Sequence, residues 1–164
     1  MEKIANNKWW KPVFDRGGLE LCTKSGWFDD LSDWSVENSV QTPIPLPTNL
    51  KLGKTAVVLL TGGLCPIHSG HIQAMIAAET KLINLGYQNI VCYFSPGHQD
   101  YIKHKKGNDV LSEADRLLAV SNVLKDKNNW YLSQYEILQQ YSLNYTEVLE
   151  WHQWYYKQNN IEVD

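Results

Sequence analysis

A chain of 164 residues, 43% of them hydrophobic, is long enough for one ordinary domain with a core of its own and too short to expect two. Its formal net charge of -3 gives no general electrostatic pull toward nucleic acid or an anionic membrane, so any phosphate binding must come from a local cluster. Three cysteines, Cys22, Cys65 and Cys92, with no close pair fit a reducing, cytoplasmic compartment better than a disulfide framework. No stretch approaches the roughly 18 apolar residues of a membrane span.

Residues 1–50 differ in texture from the rest. Trp9, Trp10, Trp27 and Trp34 sit among Gly, Asp and Ser, and the stretch ends in Thr42-Pro43-Ile44-Pro45-Leu46-Pro47, whose alternating prolines suit a connector. So many tryptophans argue for an ordered arm packed on the main body, because disordered segments are aromatic-poor. From residue 51 to 164 the chain reads as one α/β unit. Thr55–Leu60 is a short apolar run stopped by Gly62-Gly63, the pattern of a strand buried on both faces. Ile72, Met75, Ile76, Leu82 and Ile83 then recur at helical spacing, with Gly86 as a C-terminal cap, and Ile90–Phe94 is a second buried strand closed by Ser95-Pro96-Gly97.

Ser112, three before Asp115, caps a helix expected to put Ala114, Leu117, Leu118, Ser121 and Leu124 on one face. A short strand follows near Trp130–Ser133. A last helix, about Leu143–Tyr156, is expected to place Tyr145, Val148, Leu149 and His152 on one face. Strands alternating with helices predict a doubly wound parallel sheet, with ligands at the carboxyl ends of the strands. Trp151, Trp154, Tyr155 and Tyr156 read as an aromatic face packed on the sheet or the arm; left uncovered, that face would drive self-association into a homo-oligomer. Asn144-Tyr145-Thr146 matches a glycosylation pattern that carries no weight without a secretion signal.

The chemistry sits between the first strand and the first helix, in Thr61-Gly62-Gly63-Leu64-Cys65-Pro66-Ile67-His68-Ser69-Gly70-His71. Glycines let backbone N–H groups approach phosphate oxygens, and the following helix start adds partial positive charge at the same place. Two imidazoles three residues apart can donate hydrogen bonds to a phosphate whose charge grows in a transition state. A zinc site from His68, His71, His98, His104 and Cys65 is disfavoured, because histidines at irregular loop spacing seldom make a tetrahedral set.

His68-Ser69-Gly70-His71, preceded by Pro66 and a small-residue turn, resembles the HxGH signature of the nucleotidyltransferase superfamily. Ser95–Lys106 is similar to the loop after the second strand in nicotinamide or nicotinate mononucleotide adenylyltransferases. The likeness continues through Leu111–Arg116, where the family has an arginine-bearing helix start, and Asn129–Glu136. The resemblance implies a Rossmann-like fold and transfer of AMP from ATP, with Mg²⁺, to a pyridine mononucleotide in NAD synthesis. It makes His68 and His71 the catalytic pair, and Gly62, Gly63, Leu64, Gly70, His71 and Lys103 the phosphate grip. Tyr135, Glu136 and Thr146 would hold the mononucleotide. No nucleic-acid or membrane partner is implied. Two departures stand out: Cys65 replaces the usual Asp or Asn before the motif proline, and the family's second signature, Ser-Ser/Thr-x-x-Arg on a later helix, is absent. The chain therefore reads as incomplete at its C-terminus, a fragment of a longer protein, or as a relative that has lost catalysis. The alternatives are another nucleotidyltransferase, such as a cytidylyltransferase or pantetheine-phosphate adenylyltransferase, and a non-catalytic nucleotide-binding module.

Overall fold

In the computed structural model, which describes residues 44–139 and 142–164, three parallel strands lie in the order β1-β2-β3 with helices on both faces. The chain runs β1 (Thr55–Gly62), α1 (Ser69–Asn84), β2 (Asn89–Pro96), α2 (Gln99–Lys106), α3 (Glu113–Leu124), β3 (Trp130–Leu132) and α4 (Tyr145–Gln158). The tryptophans expected to form an N-terminal arm, Trp9, Trp10, Trp27 and Trp34, lie outside the described residues, as does Cys22.

β2 is the central strand, pairing with β1 from Thr55↔Asn89 to Gly62↔Pro96 and with β3 from Cys92↔Trp130 to Phe94↔Leu132. Side chains alternate across a strand, so a strand covered on both faces must be apolar at every position. Cys92 and Phe94 pack with Leu64, Met75, Val120, Leu124 and Trp130 on the side of α1 and α3. Val91 and Tyr93 pack with Tyr135, Val148, Trp151, Tyr155 and Tyr156 on the side of α4. β1 divides in the same way, Val58 and Leu60 to the first core and Val57 and Leu59 to the second. The layers are therefore helix, sheet, helix, as the alternating pattern predicts.

The end of the proline connector belongs to the body. Ile44 is buried in the α4-side core, and Asn89 donates to the carbonyl of Lys51 and accepts from its amide. The Tyr93 hydroxyl lies 2.6 Å from both Pro45 O and the Tyr156 hydroxyl. A carbonyl only accepts, so Tyr93 donates to Pro45 and Tyr156 donates to Tyr93. At the far edge of β1, Asp164 N donates to Thr55 O and Asp164 O accepts from Val57 N, each at 3.0 Å. That is the hydrogen-bond pattern of a parallel bridge.

Helix ends follow the sequence signals, whereas helix faces follow packing. Gly86, at φ 90, sits just beyond α1; the Tyr87 amide donates to Leu82 O and the Gly86 amide to Ile83 O, a Schellman ending. Ser112 caps α3 by accepting from Asp115 N at 3.1 Å. The expected α3 face is corrected: Leu118 is exposed, and the buried set is Glu113, Arg116, Leu117, Val120 and Leu124. The expected α4 face is corrected likewise, since Tyr145 and Leu149 are exposed while Val148, Trp151, His152, Tyr155 and Tyr156 are inside. On α1, Ile76 and Ile83 face outward.

Tyr135 and Tyr155 sandwich Trp151, with ring centroids 3.9 and 5.0 Å away and planes within 15° of parallel. Trp151→Ala opens the centre of this core and is expected to cost ~3–5 kcal/mol, read as a lowered urea midpoint with little change in slope.

Candidate functional site

The carboxyl ends of β1 and β2 lie side by side because the two strands are parallel and in register to their last residues. Where they leave the sheet, the Gly97 amide donates to Gly62 O at 2.7 Å, which brings the two turns into contact. A side chain at Gly97 would place its Cβ 3.1 Å from that same oxygen, a tight contact that the Gly62 backbone would have to ease by a small shift. Gly62 has φ +148, and the next non-glycine, Leu64, holds φ 44 with its side chain fully buried under α1.

From this turn the chain enters α1 through a reciprocal cap made by the two motif histidines. His68 Nδ1 accepts from Gly70 N at 3.0 Å, and His71 Nδ1 accepts from His68 N at 3.1 Å. The geometry is that of a capping box with imidazole in place of hydroxyl and carboxylate. An accepting Nδ1 carries no proton, so in each neutral ring the proton sits on Nε2. The rings stand 4.0 Å apart by centroid, His68 exposed and His71 half-buried. Partial burial, and then the neighbouring His68, lower the His71 pKa from its usual range. Both rings stand at the N-terminus of a 16-residue helix, where backbone N–H groups and the helix dipole also favour an anion. Gly70 allows the His68 ring this position, because a Cβ there would lie 2.8 Å from His68 Cε1.

Cys65, in place of an acid or amide, is held by other means: Leu111 N donates to its sulfur at 3.4 Å and Lys106 Nζ to its carbonyl at 2.8 Å. The lysine that touches the turn is thus Lys106. Lys103, expected to grip phosphate, is exposed on α2, a helix where the sequence suggested only a loop. His98 caps α2, its Nδ1 accepting from Asp100 N at 3.1 Å while its Nε2–H donates to Gln139 O at 2.9 Å.

The three residues expected to hold a mononucleotide are not equivalent. Tyr135 is fully buried, with its ring stacked on Trp151 in the core. Thr146 is exposed at the start of α4, its hydroxyl donating to the Asn144 side chain. Glu136 does lie at the end of β2, accepting from Ser95 Oγ at 2.9 Å. Burial pushes its carboxyl up to about 8, against the opposing pull of the Ser95 hydrogen bond and the Arg116 charge. At neutral pH it is a largely protonated acid able to donate as well as accept.

Sequence reasoning passed over Arg116 as a site residue. Its side chain is wholly buried; Nη1 donates to Gly63 O at 3.0 Å and Gly97 O at 2.7 Å, and Nη2 to Gln99 Oε1 at 2.8 Å. The signal was its place in Leu111–Arg116, without any spacing rule that would bury a guanidinium. A second buried pair lies deeper: His152 Nδ1–H donates to Val148 O at 2.7 Å, so its Nε2 accepts from Ser133 Oγ at 2.9 Å, and burial lowers its pKa to about 4. A cavity of ≈ 150 Å³ beside His152, walled by Val57, Leu149, Tyr156 and Val163, is separate from the histidine pair.

Two outcomes follow from this geometry. Gly70→Ala displaces the His68 ring and removes its cap, costing ~1 kcal/mol of stability in denaturant titration. For Glu136, the folded state keeps its proton up to about pH 8 while the unfolded state loses it near about 4.3; stability therefore falls as pH rises through that window. Glu136→Gln removes this dependence, so the variant gains on the parent protein by a few kcal/mol between about pH 5 and about pH 8; parallel curves for the two in urea melts at both ends would contradict the assignment.

No protein-family model matches this chain, and a search of curated proteins finds no match; the site rests on its residues and their geometry.

Proposed function

We propose that this chain forms the ATP-gripping part of a nucleotidyltransferase of Rossmann-like fold that joins an adenylyl group to a pyridine mononucleotide. The observation that carries the reading is the reciprocal histidine cap: His68 and His71 each spend Nδ1 on a backbone amide at the start of α1, which leaves Nε2 as the proton-bearing nitrogen of each neutral ring, beside a glycine turn. That donor set suits an anion of tetrahedral oxygens, and α-phosphate is where charge develops when AMP is transferred.

In the proposed reaction a phosphate oxygen of the acceptor mononucleotide attacks the α-phosphorus of ATP. A new P–O bond forms, the bond to the bridging oxygen breaks, and pyrophosphate leaves with its electron pair. Magnesium enters with ATP as part of the substrate. The histidines remain neutral donors throughout and form no covalent intermediate, which agrees with the lowered His71 pKa. Glu136, protonated near neutrality beside Ser95, supports recognition of a carboxamide oxygen at the end of β2.

Calorimetric titration with ATP–Mg²⁺, and separately with nicotinamide mononucleotide, tests the reading. ATP is expected to bind, with His71→Ala weakening it by about tenfold, the worth of one charge-assisted hydrogen bond. Equal affinity in the folded variant would remove the histidine pair from the binding site.

A further inference from the structure

A chain of net charge -3 that binds polyphosphate needs a positive charge placed at the binding surface. Lys103 is exposed on α2, and Lys106 lies on Cys65 O. Arg116 is the cation held on the glycine turns. Its guanidinium is fully buried, and one nitrogen, Nη1, joins the carbonyls of Gly63 and Gly97, one from each of the two strand-end turns.

The peptide group is planar and trans, so its C=O and N–H point in opposite directions. With the Gly63 carbonyl directed at Arg116, the Leu64 N–H of the same peptide points away from the guanidinium. The φ of 44 at Leu64 belongs to this orientation, and among the described residues no hydrogen bond holds that amide. A cation on the carbonyl polarises the peptide and makes its N–H a stronger donor. Burying a guanidinium carries a desolvation cost that an apolar side chain would avoid. Here the buried guanidinium is held on a carbonyl from each of the two turns.

We infer that Arg116 is a positioning residue that sets the anion preference of the glycine turn, by holding Gly63 O and Gly97 O on one guanidinium and aiming the Leu64 amide at a ligand phosphate. This inference rests on the reading of the turn as a phosphate grip, but not on the identity of the nucleotide or the acceptor.

The test uses inorganic tripolyphosphate, ATP–Mg²⁺ and neutral adenosine as probes of the full chain, Arg116→Met and Arg116→Lys. Arg116→Met is expected to weaken both anions by about tenfold or more while changing adenosine by less than about twofold. Arg116→Lys, which keeps the charge but not the fork, falls between the two. An equal loss for adenosine and for the anions, or no loss for any of them, overturns the inference. Should Arg116→Met fail to fold, hydrogen exchange on the unmodified chain decides. Tripolyphosphate is expected to slow exchange at the Leu64 amide, and an unchanged Leu64 overturns the proposal. Tripolyphosphate binding with no nucleotide binding would sink the adenylyltransferase reading and leave the role of Arg116 standing; a chain that binds no polyphosphate sinks both.

Discussion

The burial of β2 on both faces is the constraint on which the rest of the molecule depends. A strand with Val91 and Tyr93 toward α4 and Cys92 and Phe94 toward α1 and α3 needs helices above and below it and a strand on either side. Parallel neighbours in turn require crossovers, so every strand ends at the same edge of the sheet. That edge is where Gly62, Gly97, Ser95 and the start of α1 meet. The site is a by-product of covering one apolar strand, furnished by the residues that leave it.

Its electrostatics combine uncharged groups with the buried Arg116 guanidinium. Each histidine of the pair acts as a cap through Nδ1, which leaves Nε2 to carry the proton of the neutral ring. Arg116 contributes its charge through backbone carbonyls, and Glu136 is kept largely uncharged by burial close to that guanidinium. The proposed anion site is compatible with the overall acidity of the chain because the relevant field is local.

Strands and caps were legible in the sequence, and helix faces less so. Thr55–Leu60 and Ile90–Phe94 are unbroken apolar runs, and Gly86 and Ser112 act at helix ends through local geometry alone. α2 was missed because Gln99–Lys106 is polar and basic, with only Gln99 and Ile102 of its residues buried. In α3 the apparent apolar stripe through Leu118 lost to a face containing Arg116, which no hydrophobic periodicity would bury without knowledge of its three acceptors. In α4 the aromatic reading of Trp151, Tyr155 and Tyr156 matched the packing where the stripe through Tyr145 and Leu149 did not. Of the candidate site, the histidine pair was legible from spacing; the burial of Tyr135 depends on Trp151 and Tyr155, side chains from a distant helix, and no local pattern encodes it.

The imidazole capping box has a consequence for acid conditions. A hydroxyl or carboxylate cap keeps an accepting lone pair when the helix meets an anion, but a histidine that takes up a proton at Nδ1 turns from acceptor to donor and repels the amide it held. Acidification would therefore add positive charge to the proposed anion site at the moment it unfastens the first turn of α1. The same proton that strengthens attraction dismantles the frame, so the donor array has its shape only while its rings are uncharged.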